Sequence, residues 1–202
     1  MAIKVANNQS LTAITALPAA ITGSAMTLLE TQTASSSATI SFTSNIDSTY
    51  DEYVFRFYNF HPQNNAIRLK FNASDDTSSH SYDVVKTTSM FNAYHDESGG
   101  TAALAYETGT DEAQASGTIF LGNDTSNAND ACMSGYLQLF NPSSTTYVKH
   151  FMSRAATLAN GEYAVDTYKA GYFNTTSAIT AIQFSASSGN IDSMVIKLYG
   201  IS

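Results

Sequence analysis

Tryptophan is absent from the 202 residues, and cysteine, proline and charged side chains are scarce. The single cysteine, Cys132, excludes an intrachain disulfide framework, so the fold is not expected to depend on an oxidising compartment. Charged residues make up 13% of the chain, well below the usual share, and Lys and Arg together number 9. Because the formal net charge is −8 and no basic cluster occurs, we expect no binding to nucleic acid.

A long apolar run is also missing from the first residues. The segment MAIKVANNQSLTAITALP is interrupted by Asn7, Asn8, Gln9 and Ser10, so no apolar stretch reaches the length of a signal-peptide core or a membrane span. We therefore expect no signal peptide, no membrane association, and folding in a cytoplasm.

Alternation of apolar and polar residues begins at about residue 37. The clearest case is AIRLKFN, in which Ile67, Leu69 and Phe71 alternate with Arg68 and Lys70. A period of two places successive side chains on opposite faces of a strand, so this pattern indicates a half-buried strand. Similar segments recur to the end of the chain, and no sustained helical stripe appears.

Polar turn segments separate these predicted strands, among them NASDDTSS, GNDTSNAND and SSGN. Many short strands joined by polar turns are typical of a sandwich or barrel. We predict an all-β fold, a jelly-roll-like antiparallel β-sandwich over residues 36–202, preceded by an extended N-terminal arm over residues 1–35.

The predicted arm is rich in Ala, Thr and Ser, and Pro18 and Gly23 interrupt any long helix in it. Short apolar islands in such a segment suit docking onto another protein. The candidate partner-binding residues are Ile3, Val5, Leu11, Ile14, Leu17, Met26, Leu28 and Leu29.

Catalytic motifs are not apparent. The four histidines and Cys132 occur in none of the spacings typical of metalloproteases, serine hydrolases or cysteine hydrolases, so we predict that the chain is not an enzyme. No cofactor is expected, although a Ca²⁺ site stays open in the loop that contains Asp124, Asn127 and Asp130, because Ca²⁺ prefers oxygen ligands on flexible loops.

Tyrosines offer a second kind of site. Exposed tyrosine rings on a sandwich can stack on sugars, while Asn and Asp side chains bind sugar hydroxyls; the alternative for each ring is a cross-strand aromatic pair. The candidates are Tyr94, Tyr106, Tyr163, Tyr168 and Tyr172.

Three segments together resemble a family of tailed-phage virion structural proteins that is common in marine phages. They are LLETQTASSSATISFTSNIDSTYDEYVFRFYNFHP (28–62), LQLFNPSSTTYVKHFMS (137–153) and AGYFNTTSAITAIQFSASSGNIDSMVIKLYGIS (170–202), and residues 1–27 lie outside the resemblance. The resemblance implies a structural component of the capsid or tail, without catalytic residues, that is usually a homotrimer.

Two functions follow from the resemblance. The first is a capsid decoration or cement protein, assembled in the bacterial cytoplasm, whose residues 1–35 bind the major capsid protein or neighbouring copies of the chain. The second is a tail-associated fibre, spike or adaptor protein that binds host surface glycans. A glycan-cleaving enzyme is a third class, for which no carboxylate pair stands out in the sequence.

Overall fold

The computed structural model describes residues 25–201, and within this range it contains twelve β-strands and no helix. The all-β prediction is therefore confirmed. The strands are β1 (Met26–Ser37), β2 (Thr39–Phe42), β3 (Glu52–Pro62), β4 (Leu69–Ser74), β5 (Lys86–Asp96), β6 (Ala102–Tyr106), β7 (Ile119–Phe120), β8 (Met133–Phe140), β9 (Lys149–Ala159), β10 (Tyr163–Phe173), β11 (Ala181–Ala186) and β12 (Ile191–Ile201).

The strands form two antiparallel sheets. The large sheet has the order β1-β12-β3-β8-β9-β10-β5-β6, and the small sheet has the order β2-β11-β4-β7. From β2 to β12 the chain passes repeatedly from one sheet to the other, and neighbouring strands are often distant in sequence. This crossing pattern is typical of a jelly roll, so the predicted sandwich class is confirmed.

Aromatic side chains fill much of the space between the sheets. Phe71 of the small sheet contacts Phe151 and Phe173 of the large sheet, with ring centroids 5.3 and 6.2 Å apart. Phe42 and Phe55 form a second edge-to-face pair across the sheets, at 5.2 Å. All five side chains are almost fully buried, so phenylalanine supplies the large apolar volume that a chain without tryptophan needs.

Three lysines also point into the interior. Lys86, Lys149 and Lys169 are each at most 2% exposed, and their ammonium groups donate to the backbone carbonyls of Gly117, Thr175 and Thr110. Burial lowers the pKa of all three lysines, to about 8 for Lys86 and Lys169. These bonds fasten the loops after β6 and β10 to the large sheet.

The predicted boundary between arm and sandwich, between residues 35 and 36, is wrong, because the last residues of the predicted arm belong to the sandwich. Met26–Ser37 forms β1, which pairs with β12 from Met26↔Ile201 to Ser37↔Ile191. Ala34 is buried against the core, and Leu29 packs on it. The segment is polar because β1 is an edge strand with few core contacts, and edge strands need little apolar surface.

Candidate functional site

The outer face of the large sheet holds most of the apolar side chains that the sandwich leaves exposed. Nine large apolar residues are exposed among residues 25–201, and only Val85 and Tyr147 lie away from this face. Strand alternation explains this placement: side chains two or four positions apart in a strand point to the same side of the sheet, so one outward-facing residue predicts the next. The other seven are Leu28, Tyr58, Phe91, Leu104, Tyr106, Tyr136 and Met152.

A single cross-strand row passes through the middle of this outer face. Its members are directly opposite one another in the strand register, so neighbours lie about 5 Å apart and the row spans about 34 Å. In strand order from β1 to β6 the row consists of Thr31, Lys197, Arg56, Tyr136, Arg154, Tyr168, Phe91 and Tyr106.

Arg154 is the one cation of the row that has an ion pair among residues 25–201. Its guanidinium donates from Nε to Oδ1 of Asp166 at 3.0 Å and from Nη2 to Oδ2 at 2.7 Å, the two-bond geometry that arginine forms with carboxylates. These hydrogen bonds lower the pKa of Asp166 and raise that of Arg154. The guanidinium also lies 4.7 Å from the centre of the Tyr168 ring.

Tyr168 is enclosed between its two neighbours in the row. The Phe91 ring lies parallel to it, with centroids 4.9 Å apart and an interplanar angle of 6°, while Arg154 lies on the adjoining strand at the other side. Stacking of this kind fixes the rings upright and leaves their edges toward solvent. Tyr168 therefore has no free ring face on which a sugar could stack.

A shallow groove of about 1000 Å³ adjoins the row on the same face. Its floor consists of small side chains from adjacent strands, and Tyr136, Arg154, Asp166, His95 and Glu97 line its sides. The groove is open above these residues because the alanine side chain is only a methyl group. The floor residues are Ala93, Ala102, Ala156 and Ala164.

The structure divides the five tyrosines predicted for sugar binding. Tyr106, Tyr168 and Tyr172 lie on the outer face, where Tyr106 donates to Asp111 at 2.8 Å and Tyr172 lies beside His150. Tyr94 and Tyr163 lie on the opposite side of their strands and form an edge-to-face pair at 5.9 Å. The five rings therefore do not form one surface.

The loop predicted as an open Ca²⁺ site has its first carboxylate engaged. Both oxygens of Asp124 accept hydrogen bonds from Arg68, at 2.6 and 3.1 Å, and Asn127 donates to the carbonyl of Gln63. Within residues 25–201, no group of three or more His, Cys, Asp or Glu side chains is arranged to hold a metal ion.

The predicted arm residues divide between two parts of the chain. Met26, Leu28 and Leu29 belong to β1, and of these Leu28 is on the outer face at 52% exposed. The remaining five lie outside the described residues: Ile3, Val5, Leu11, Ile14 and Leu17.

Sequence reasoning missed three members of the row and the carboxylate that pairs with Arg154. Tyr136, Arg154, Phe91 and Asp166 come from four different strands, and no local motif links them. One signal was available: the solvent-side positions of β8, β9 and β10 hold Tyr, Met and Arg, where a solvent-facing strand usually has small polar residues.

Comparison with known proteins adds no relative to this description: no family model, no curated protein and no solved structure matches the chain. In the part of the chain that the structure describes, no helix is long and apolar enough to cross a membrane.

Proposed function

We propose that the protein is a structural component of a tailed-phage virion, and specifically a capsid decoration protein. In this proposal it has no catalytic role, and residues 1–24 dock on the major capsid protein. The three segments that resemble virion proteins support this assignment, and the homotrimer is the stoichiometry that the same resemblance implies.

The outer face of the large sheet is the observation that carries the structural part of the proposal. Protein interfaces are enriched in Tyr, Phe, Met and Arg and depleted of Lys, Glu and Asp relative to other surfaces. The outer face presents the enriched residue types in Tyr58, Tyr136, Phe91, Met152 and Arg154, and its central rings pack against Arg154 and against one another. A face of this kind suits contact with another protein better than contact with solvent.

Particle composition tests the assignment. Virions should be purified from a lysate whose phage genome encodes this chain, and the copy number measured by gel densitometry and mass spectrometry. A decoration protein should be present in hundreds of copies, and a tail part in about a dozen, because shell and tail differ in symmetry. Absence from the particles would refute the virion assignment.

A truncation tests the docking segment. A chain that begins at Ala25 retains β1, so it should fold but no longer bind capsids stripped of the full-length protein. Wild-type occupancy by the truncated chain, measured by co-sedimentation, would show that residues 1–24 are not the docking segment.

A second candidate function is glycan binding by a tail-associated adaptor. The groove favours it, because Arg154, Asp166 and His95 supply hydrogen-bonding groups around an apolar floor. The Arg154→Gln variant should then lose binding on an array of bacterial surface glycans, while Arg68→Gln, a change outside the groove, should keep it. If neither the wild type nor the Arg68→Gln variant binds any glycan on the array, this function is excluded.

A further inference from the structure

We propose that the outer face of the large sheet is the surface through which copies of this chain associate. The half formed by β12 and β3 would pack against the half formed by β10, β5 and β6 of another copy. This inference rests on the proposed function as an assembly protein and identifies the surface and the partner.

The face is large enough for a stable interface. Eight strands at about 4.8 Å spacing are about 34 Å wide, and the five strands of eleven residues are about 36 Å long. The area of the face is therefore about 1,200 Å². Each partner in a typical stable complex buries about 800 Å². The face is therefore large enough for a full interface.

The two halves of this face differ in charge, and the one carboxylate on the outer side of β3, Glu52, accepts a hydrogen bond from Gln138. On one half, Arg56 lies 6.0 Å from the Tyr199 ring centre and Lys197 lies 5.8 Å from that of Tyr58, and neither cation has a carboxylate within 4.0 Å among residues 25–201. Both cations lie in the central row, so they are placed where an opposing surface would meet them.

The other half presents acidic groups. Glu97 is exposed at the groove, and Asp111, which accepts from the Tyr106 hydroxyl, lies in the segment that continues along the edge of β5 after β6. The local cation there, Arg154, is already neutralised by Asp166. Placing one copy's basic half over another's acidic half brings the Lys197 end of the row toward the end that carries Asp111, and charged surfaces associate in the arrangement that pairs opposite signs.

The chain's own first residues fit the face less well. Residues 1–24 contain no Asp or Glu, so they would leave Arg56 and Lys197 unpaired beneath them. A second copy supplies both the carboxylates and an apolar face of matching size. Two arrangements bring opposite halves together: a dimer whose two-fold axis is parallel to the strands, and a closed ring in which each copy uses one half on each neighbour.

Sedimentation velocity and light scattering on the full chain test the proposal. The wild type should form a discrete oligomer at micromolar concentration, and Arg56→Glu should weaken association by at least about tenfold. The matched control is Lys70→Glu, a charge reversal on β4 of the small sheet, which should associate as the wild type does.

An apolar pair of variants provides an independent comparison. Leu104 on the outer face is 73% exposed and Tyr147 outside it is 70% exposed, so neither substitution should disturb folding. Leu104→Ser should weaken association by a similar factor, and Tyr147→Ser should not. A chain carrying Arg56→Glu and Lys197→Glu should recover association when mixed with one carrying Glu97→Lys and Asp111→Lys.

Three results would overturn the proposal. They are a monomeric wild type, an oligomer unaffected by Arg56→Glu and Leu104→Ser, and equal effects of the control variants. A wild type that is monomeric yet present in virions would refute only this inference, and would indicate that another virion protein covers the face. A self-associating chain absent from virions would refute only the proposed function.

Discussion

The buried lysines make stability depend on pH in a direction opposite to simple alkaline denaturation. Burial holds the pKa of Lys169 at about 8, against 10.5 in an exposed lysine, although Glu112 and Asp111 partly offset the effect. The unfolded chain therefore binds more protons than the folded chain between these two values, and the free energy of unfolding rises with pH there. This gain in the free energy of unfolding is absent below about pH 8 and complete above about pH 10.5.

The size of the gain follows from the pKa difference. Each pH unit in this window contributes about 1.4 kcal/mol per lysine, so going from about pH 7 to about pH 9.5 should add about 2 kcal/mol for Lys169. Lys86 has the same pKa of about 8 and should add a similar amount. These two lysines together should therefore contribute about 4 kcal/mol to the gain of the wild type.

Urea unfolding followed by far-ultraviolet circular dichroism measures this change at both pH values. Lys169→Met removes one titrating group, so the increase in the free energy of unfolding should be smaller by about 2 kcal/mol than in the wild type, whatever the substitution does to stability at neutral pH. The control is Lys70→Met on β4 of the small sheet, which should retain the wild-type increase. A wild type that loses stability over this range, or a Lys169→Met variant with an unchanged increase, would refute the reasoning.

Three further predictions concern packing and strand pairing. In Gly171→Ala the new Cβ would lie 2.7 Å from the Phe151 ring, so urea unfolding should show a loss of about 1–3 kcal/mol; an unchanged midpoint would contradict this. Tyr53→Phe removes a hydroxyl that donates to the Asp47 carbonyl at 2.9 Å and accepts from its N–H at 3.1 Å, and should cost about 1–3 kcal/mol by the same assay; a neutral effect would show that these bonds add nothing net. Deleting residues 1–37 exposes the edge of β12, so light scattering should detect aggregation that the chain beginning at Ala25 does not show; two equally soluble chains would contradict the role of β1.

Local residue order determined the class of this fold. Alternation such as Ile67, Leu69 and Phe71 against Arg68 and Lys70 has a period of two, and only a strand places such residues on opposite faces. With turn residues between the segments, the sequence alone therefore indicated an antiparallel sandwich. It failed at β1, because a polar edge strand lacks alternation.

Tertiary structure alone decided which strands are neighbours and what their outer faces present. Arg154 meets Tyr168 and Asp166 because β9 and β10 pair in one register, and Phe91 joins them from a strand more than seventy residues earlier than β10. A shift of one residue would move every side chain to the other face, so the row depends on register. Register is set by contacts between distant segments, whereas alternation is set within each segment, and for this reason the sequence indicated strands but not the surface they form.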